Sequence, residues 1–382
     1  TPLNKHLLST SAIALGVAMA APASAQQWDM DWGGFYVTSI GITDVDDNVN
    51  PATDFDGLEI FSNAEIIFRP SVTLDNGLTF GAEVQFEALN EGTGGVTRAN
   101  GDDQIDESYI SIYSDTLGRI DIGSENSAGY KMTVAAPQVG SLPINSASVS
   151  AFVPFAGSGG FRQASISTFT EVAGNNDIER ITYYTPSFNG LTVGVSYAAS
   201  NGLEATNFGP VDTDATGVLQ DIFDIGIAYS QTFNGVDVNL SARWGTGDFD
   251  GSGVLVPLGQ SVDPTTWAIG GQVGVNGFTF GVGYAENDQD LAGGFGDQEG
   301  LSIGAAYDLK GPWTVGLEGY FSETDMSTFG QDLEQDLVKL TGSRTLGAGV
   351  SWDVWYLYVD TENAANDSIE GNVIGTTVAL SF

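Results

Sequence analysis

The sequence has no cysteine and a single histidine, and it is poor in positive charge. Without cysteine there is no thiol nucleophile and no thiolate ligand for zinc. Histidine, the usual general base near neutral pH, occurs only as His6. The chain carries 11 Lys plus Arg against 49 Asp plus Glu, which gives a formal net charge of −38. Because binding to nucleic acid depends on clustered Lys and Arg, we expect no nucleic-acid partner.

The N-terminal segment has the pattern of an export signal. Lys5 precedes an apolar stretch over Ala12–Ala21, and Ala23-Ser24-Ala25 supplies the small residues at which signal peptidase cuts. The alternative is a short hydrophobic helix of the folded protein, although the stretch is too short to cross a bilayer. We expect residues 1–25 to be a cleaved signal peptide and residues 26–382 to form one domain that contains no histidine.

The rest of the chain has the periodicity of β-hairpins. Asn-Gly supplies the positive φ angles of a tight hairpin turn, and an apolar–polar–apolar continuation predicts a strand with two different faces. This combination occurs four times, at Asn76-Gly77, Asn189-Gly190, Asn234-Gly235 and Asn276-Gly277. The sequence therefore predicts an all-β fold.

The two ends of the predicted hairpins differ. Tight turns alternate with long acidic loops rich in Gly, Asn and Asp, such as Asp44–Asp56 and Ser200–Asp221. The interval from Gly118 to Gly190 is the longest, at 72 residues, and it contains the uncharged stretch Met132–Phe161. Short turns on one side and long loops on the other are typical of outer-membrane barrels.

The strands alternate in a way that predicts a wet interior. Every second residue of Leu78–Glu87 is apolar, and the residues between them are Thr, Gly, Glu, Gln and Glu. A closed soluble barrel needs apolar residues inside, whereas a membrane barrel places them toward lipid. Counting strands on both sides of the turns predicts a transmembrane antiparallel barrel of about 16 strands.

Three motifs carry a family resemblance. Ile181–Gly194 is one, Glu107–Ile112 leading to Gly118–Gly123 is the second, and the third is the alternation of Val378, Leu380 and the terminal Phe382. With them, the mature chain resembles the general porins of Gram-negative outer membranes and is most similar to their alphaproteobacterial branch. The resemblance implies an outer-membrane homotrimer of 16-stranded barrels, in contact with lipid and lipopolysaccharide. It also implies that the third loop folds into the lumen, with acids facing wall arginines.

The sequence departs from that pattern in its third loop. Met132–Phe161 contains no acid. Its apolar side chains would be exposed to water if the stretch pointed outward, so we expect it inside the barrel.

Charged residues on the inward phase are the candidate constriction. A cationic wall opposite carboxylates would create a transverse field that sorts solutes by charge. Alternatively, an arginine fixes neighbouring strands or the loop base through a salt bridge, and Lys131 and Arg162 pin the loop. The wall candidates are Arg69, Arg180 and Arg243 with Glu65, Glu83, Glu87 and Asp121, and the loop candidates are Lys131, Arg162 and Glu171.

Asp44, Asp46 and Asp47 begin like a calcium loop. The pattern then fails, because Val49 and Phe55 stand where an EF-hand needs Gly and Glu. We expect a solvated acidic loop and no tightly bound cofactor. Loosely held Ca²⁺ shared with lipopolysaccharide phosphates stays an open alternative.

These observations favour a general diffusion porin, a passive channel for small hydrophilic solutes with a preference for cations. A substrate-specific channel is the alternative. We expect no enzyme activity, because known outer-membrane barrel enzymes rely on a histidine that residues 26–382 lack. For the trimer, Gly92–Ile105 is either a latch onto a neighbour or a solvated loop.

Overall fold

The computed structural model describes residues 27–48, 54–89, 105–154, 169–174, 176–201, 217–251, 257, 259–289, 296–325, 333–363 and 367–382. The strands are β1 (Asp29–Asp47), β2 (Gly57–Thr73), β3 (Thr79–Leu89), β4 (Ile105–Ser114), β5 (Gly118–Glu125), β6 (Ile178–Tyr184), β7 (Leu191–Ser200), β8 (Leu219–Phe233), β9 (Val236–Asp250), β10 (Ser261–Val262), β11 (Thr265–Val275), β12 (Phe278–Asp288), β13 (Gln298–Asp308), β14 (Trp313–Thr324), β15 (Leu333–Gly347), β16 (Val350–Asn363) and β17 (Ser368–Ser381). The described helical turns are α1 (Ala128–Lys131) and the 3₁₀ segments Ala147–Ala151 and Val172–Gly174. No helix in these ranges is long and apolar enough to cross a membrane.

The strands form one closed antiparallel sheet. β1 pairs with β2 on one side and with β17 on the other, so the sheet has no free edge. The two-residue β10 adds only a short pairing to β9, and the other 16 strands make the barrel. The predicted antiparallel barrel of about 16 strands is confirmed.

Short turns and long connections lie at opposite ends of the barrel. Asn189, Asn234 and Asn276 have φ angles of 48°, 51° and 52°, and a positive-φ glycine follows each one. This is the geometry that a two-residue Asn-Gly hairpin requires. A further tight turn precedes Val350, where Gly349 has a φ of 65°. The sequence analysis did not include this turn.

The barrel wall has two distinct faces. Along β13, Leu301 and Ile303 are exposed while Ser302 between them is buried. The same alternation gives the wall an exposed apolar face and an opposite face, called here the polar face. On β14–β17 this polar face also carries large buried apolar side chains, among them Tyr320, Leu337 and Trp355.

The long loop joins β5 to β6 over residues 126–177, and its described residues pack along the polar face. Successive backbone N–H groups of the loop donate to side chains of the wall. These donors and acceptors are Ala128 to Ser196 of β7, Gly129 to Asp224 of β8, Val134 to Ser241 of β9, Ala136 to Ser302 of β13, Val139 to Glu318 of β14 and Ser141 to Asp353 of β16. The loop therefore follows the wall from strand to strand.

Candidate functional site

The first turn of the long loop is held by buried charges. Glu171 accepts the backbone N–H of Ser127 at 2.6 Å, and Asp224 accepts that of Gly129 at 2.6 Å. Arg243 is ion-paired with Asp224 and lies 3.7 Å from Glu171. Its side chain is only 2% exposed. The backbone donors of a helix start, which have no partner within the helix, are thus bound by Glu171 from the far end of the loop and by Asp224 of the wall. We call this group the loop anchor.

The loop anchor contains a second arginine, Arg180, whose charge acts on Glu171. Arg180 on β6 is buried. Burial raises the pKa of Glu171, while the guanidinium groups of Arg180 and Arg243 oppose that rise by favouring its charged form. Two arginines with two carboxylates form a desolvated network, and such a network is costly to leave half paired.

A second buried pair holds the middle of the loop. Glu318 on β14 accepts the backbone N–H of Val139 at 2.9 Å and lies 3.3 Å from the ammonium group of Lys339 on β15. Lys339 donates to the carbonyl oxygens of Val139 and Leu142. The side chains of Glu318 and Lys339 are 2% and 1% exposed. The pair therefore hydrogen-bonds the loop backbone and is shielded from solvent.

An apolar core follows this pair along the loop. Leu142, Val149, Phe152 and Val153 pack against buried wall residues. The ring of Phe152 lies 5.1 Å from that of Trp355, in an edge-on arrangement. The wall residues of this core are Phe61, Tyr320, Leu337, Trp355, Leu357, Val359, Ile369 and Val373. Their burial beneath the loop explains why β14–β17 place apolar side chains on the polar face.

The polar face of β2–β5, called here the charged wall, keeps Arg69 and Arg119 partly exposed, although several of its carboxylates are buried. Arg69 donates to Glu83 at 2.9 Å with 41% of its side chain exposed. Gln85 bridges Glu83 and Glu107 at 2.7 and 2.9 Å. The described loop residues reach this wall where β5 ends and β4 begins. There the ammonium group of Lys131 lies 2.8 Å from the carboxylate of Glu125 and 3.4 Å from that of Glu107.

Tyr109 of the charged wall lies between two cations, Arg119 of the same wall and Lys131 of the loop. Arg119 donates to Asp121 at 2.7 Å and is 42% exposed, while Asp121 itself is buried. The guanidinium carbon of Arg119 and the ammonium nitrogen of Lys131 lie 5.9 and 4.6 Å from the centre of the Tyr109 ring. Burial disfavours the Lys131 ammonium, but the carboxylates of Glu125 and Glu107 outweigh it and raise the Lys131 pKa above its ordinary value.

The other predicted residues are more scattered. Glu65 is buried and lies opposite Glu87 in the β2–β3 register. Arg162 lies outside the described residues. Asp44 and Asp46 are exposed on one face of β1, and Asp47 lies on its other face. Among the described residues, no three acidic or histidine side chains converge as a metal site.

The sequence analysis named Glu171 but missed Asp224, Glu318 and Lys339, which also bind the loop. Alternation with Phe223 and Ile225 was a usable signal for Asp224. Lys339 gave a weaker signal, because both phases of β15 mix polar and apolar residues, with Leu337 and Lys339 on one and Asp336 and Val338 on the other.

A closed antiparallel barrel with an exposed apolar face and a charged opposite face defines an outer-membrane channel protein for small solutes. The chain belongs to the Gram-negative porin family, whose model matches residues 9–364, and its location is the outer membrane. The family consists of channel proteins. No curated protein sequence matches the chain.

Solved porin structures share the fold at low sequence identity. The chain resembles the outer-membrane channel DcaP of Acinetobacter baumannii with a TM-score of 0.63 and 13% identity, covering 95% of this chain and 100% of that one. OmpT of Vibrio cholerae in a trimer form gives 0.59 and 14%, covering 93% and 99%. An anion-selective porin from Comamonas acidovorans gives 0.58 and 16%, covering 93% and 100%.

Proposed function

We propose that the protein is a general diffusion porin, whose polar face lines a water-filled channel for small hydrophilic solutes and ions. The observation that carries this proposal is the charged wall, because Arg69 and Arg119 keep 41% and 42% of their side chains exposed on the inward phase of a closed sheet. A packed or plugged interior would leave such side chains without solvent. Reconstitution into planar bilayers tests it: stepwise conductance supports the proposal, and a barrel that never conducts ions would contradict it.

In this proposal the long loop lies inside the lumen and narrows it. Its backbone N–H groups bind side chains of the polar face on six strands from β7 to β16. The open passage then lies beside the charged wall. Shortening residues 132–161 should raise single-channel conductance, and unchanged conductance would place the loop outside the pore.

We further propose a preference for cations. Around the passage, three basic residues, Arg69, Arg119 and Lys131, neighbour four acids, namely Glu83, Glu107, Asp121 and Glu125. The long loops add the large acidic excess of the chain, which raises the local concentration of cations. The anion-selective Comamonas relative has the same fold, so the charges rather than the fold must set the preference. The reversal potential in a KCl gradient measures this preference. A preference for anions would overturn the proposal of cation selectivity.

Assembly as a homotrimer belongs to the same proposal. The related OmpT of Vibrio cholerae is a trimer form, and the outward faces of β2–β5 carry exposed Ile60, Ile66, Phe86 and Ile110. The suggested latch Gly92–Ile105 lies outside the described residues except for Ile105. Native mass spectrometry in detergent tests the trimer, and deletion of residues 92–104 tests the latch.

Weak calcium binding with lipopolysaccharide is the last part of the proposal. Asp46 lies directly opposite Glu370, Glu370 opposite Asp360, and Asp360 opposite Asp336. Like charges that face each other across strands are destabilising. A divalent cation shared with lipid phosphates would relieve that repulsion. Calcium should then raise the melting temperature of the protein in lipopolysaccharide-containing vesicles more than NaCl of equal ionic strength, and Asp46→Asn should reduce the difference.

A further inference from the structure

A polar recess lies on the inward phase of the wall, near the tight-turn ends of β8, β9, β11 and β12. It encloses about 310 Å³, at the lower end of the range of small-molecule sites. The register arranges its side chains in two rows, with Ser230 opposite Asn239 and Asn239 opposite Gln272 in the first. In the second row Thr232 lies opposite Asp237, Asp237 opposite Gly274, and Gly274 opposite Thr279. Gly274 supplies no side chain, so the second row has a gap at its centre.

Hydrogen bonds inside the recess leave a defined set of groups free. Ser230 donates to Oδ1 of Asn239 at 2.7 Å, which leaves the amide nitrogen of Asn239 as a donor. Thr232 donates to Oδ1 of Asp237 at 2.6 Å, which leaves Oδ2 as an acceptor. The wall thus presents a carboxylate acceptor and an amide donor from neighbouring rows of one strand.

The long loop fixes a third group of the recess. Gln272 donates its amide N–H to the carbonyl oxygen of Ala135 at 2.8 Å, which orients the side chain and leaves its own carbonyl oxygen as an acceptor. The recess therefore adjoins the loop. A solute that passes the loop toward the tight-turn end meets these three oriented groups.

The charge of the recess restricts what it can bind. Among the described residues that line it, Asp237 is the only charged one, and none is Lys or Arg. A phosphate or carboxylate group would face an unpaired negative charge and is selected against. A hydroxyl group suits every free position, because it donates to Asp237 or Gln272 and accepts from Asn239. Hydroxyl-to-carboxylate bonds are charge-assisted and stronger than neutral ones.

We propose that this recess is a binding site for an uncharged polyhydroxylated solute of monosaccharide size. The inference rests on the proposed function, because solute reaches the recess only through a water-filled lumen. Among the described residues that line the recess there is no aromatic ring, so a solute gains hydrogen bonds but no stacking. Binding is therefore weak, as conduction requires of a site that must also release its solute.

The test uses glucose as the probe and compares two matched carboxylates. Asp237→Asn keeps the volume of the recess and removes the charge of the acceptor. Asp308→Asn is the control: Asp308 also accepts a threonine hydroxyl, from Thr314 at 2.6 Å on the inward phase at a tight-turn end, but does not line the recess. Glucose binding is measured from current fluctuations in planar bilayers and from saturation-transfer NMR on the full protein in detergent.

We expect Asp237→Asn to weaken glucose binding about tenfold, the loss typical of one hydrogen bond to a charged group. Asp308→Asn should leave binding unchanged, and glucose 6-phosphate should bind the unmodified protein more weakly than glucose. Equal behaviour of the two variants, or no saturation transfer to glucose, overturns the site even if the protein conducts ions. Asp237-dependent transfer without any conductance would instead contradict the proposed porin function and leave the site in place.

Discussion

The wall that binds the loop and the wall that faces solvent use the same residue types for different purposes. On the loop-bound wall, from β7 through β17, Arg243 and Lys339 are 2% and 1% exposed and are paired with buried carboxylates that also bind the loop backbone. On the charged wall of β2–β5, Arg69 and Arg119 remain about two-fifths exposed. Whether a basic residue is structural or lines the passage is therefore decided by what covers it, which a strand pattern does not contain.

The largest difference between the two walls should appear in the stability lost when a buried ion pair or a half-exposed ion pair is broken. Lys339→Met retains most of the side-chain volume but leaves the Glu318 carboxylate buried without its cation. Removing one partner of a buried pair costs about 3–5 kcal/mol. The comparable change Arg69→Met breaks a half-exposed pair, which contributes about 1 kcal/mol or less. Urea unfolding in lipid vesicles measures both free energies.

A double variant separates the charge from the packing. In Glu318→Leu with Lys339→Met both charges of this pair are removed together, so much of the lost stability should return. If Lys339→Met is no more destabilising than Arg69→Met, the contrast between the two walls is wrong.

The sequence predicted the barrel far better than it predicted the roles of individual charges. Asn-Gly turns and alternation are local signals, and they gave the all-β fold, the closed architecture and the faces of strands such as β13. The path of the long loop depends on contacts between residues far apart in the chain, such as Val139 with Glu318. No local signal reports such a contact, and for this reason the role of Lys339, on a strand whose two phases both mix polar and apolar residues, was not predicted.

Close approach of the loop backbone gives the next test. A Cβ at Gly270 on β11 would overlap the carbonyl oxygen of Val134. One at the neighbouring Gly271 would come close only to the flexible end of Leu240, on the apolar face, and would otherwise make an ordinary contact with the backbone of Asn239. Gly270→Ala should push the loop off the wall at a cost of about 1–3 kcal/mol, as overpacking does. It should also lower single-channel conductance.

Gly271→Ala is the matched control, since it adds the same methyl group one residue away on the other face. We expect its conductance to equal that of the unmodified protein. Equal conductance of both variants would show that the loop does not depend on this contact with β11.

The charged wall is tested by its effect on selectivity. Arg69→Gln and Arg119→Gln remove exposed positive charge while the neighbouring Glu83 and Asp121 stay in place. A unit charge about 4 Å from an ion in water contributes about 1 kcal/mol, so each change should raise the cation-to-anion permeability ratio by up to about fivefold. Reversal potentials in a KCl gradient measure this ratio, and no shift in either variant would place the ion path elsewhere.

The smallest expected effect is that of salt, which should act on the charged wall but not on the buried pair of the loop-bound wall. The Debye length falls from about 10 Å at 0.1 M to about 3 Å at 1 M, so exposed charges are screened while desolvated pairs are screened far less. The permeability difference between Arg69→Gln and the unmodified protein should therefore shrink as KCl rises over this range. The stability lost in Lys339→Met should persist, because water and ions do not reach a pair that is 1–2% exposed. If both effects faded together, Lys339 and Glu318 would have to lie in contact with the channel water, and the loop would not seal them.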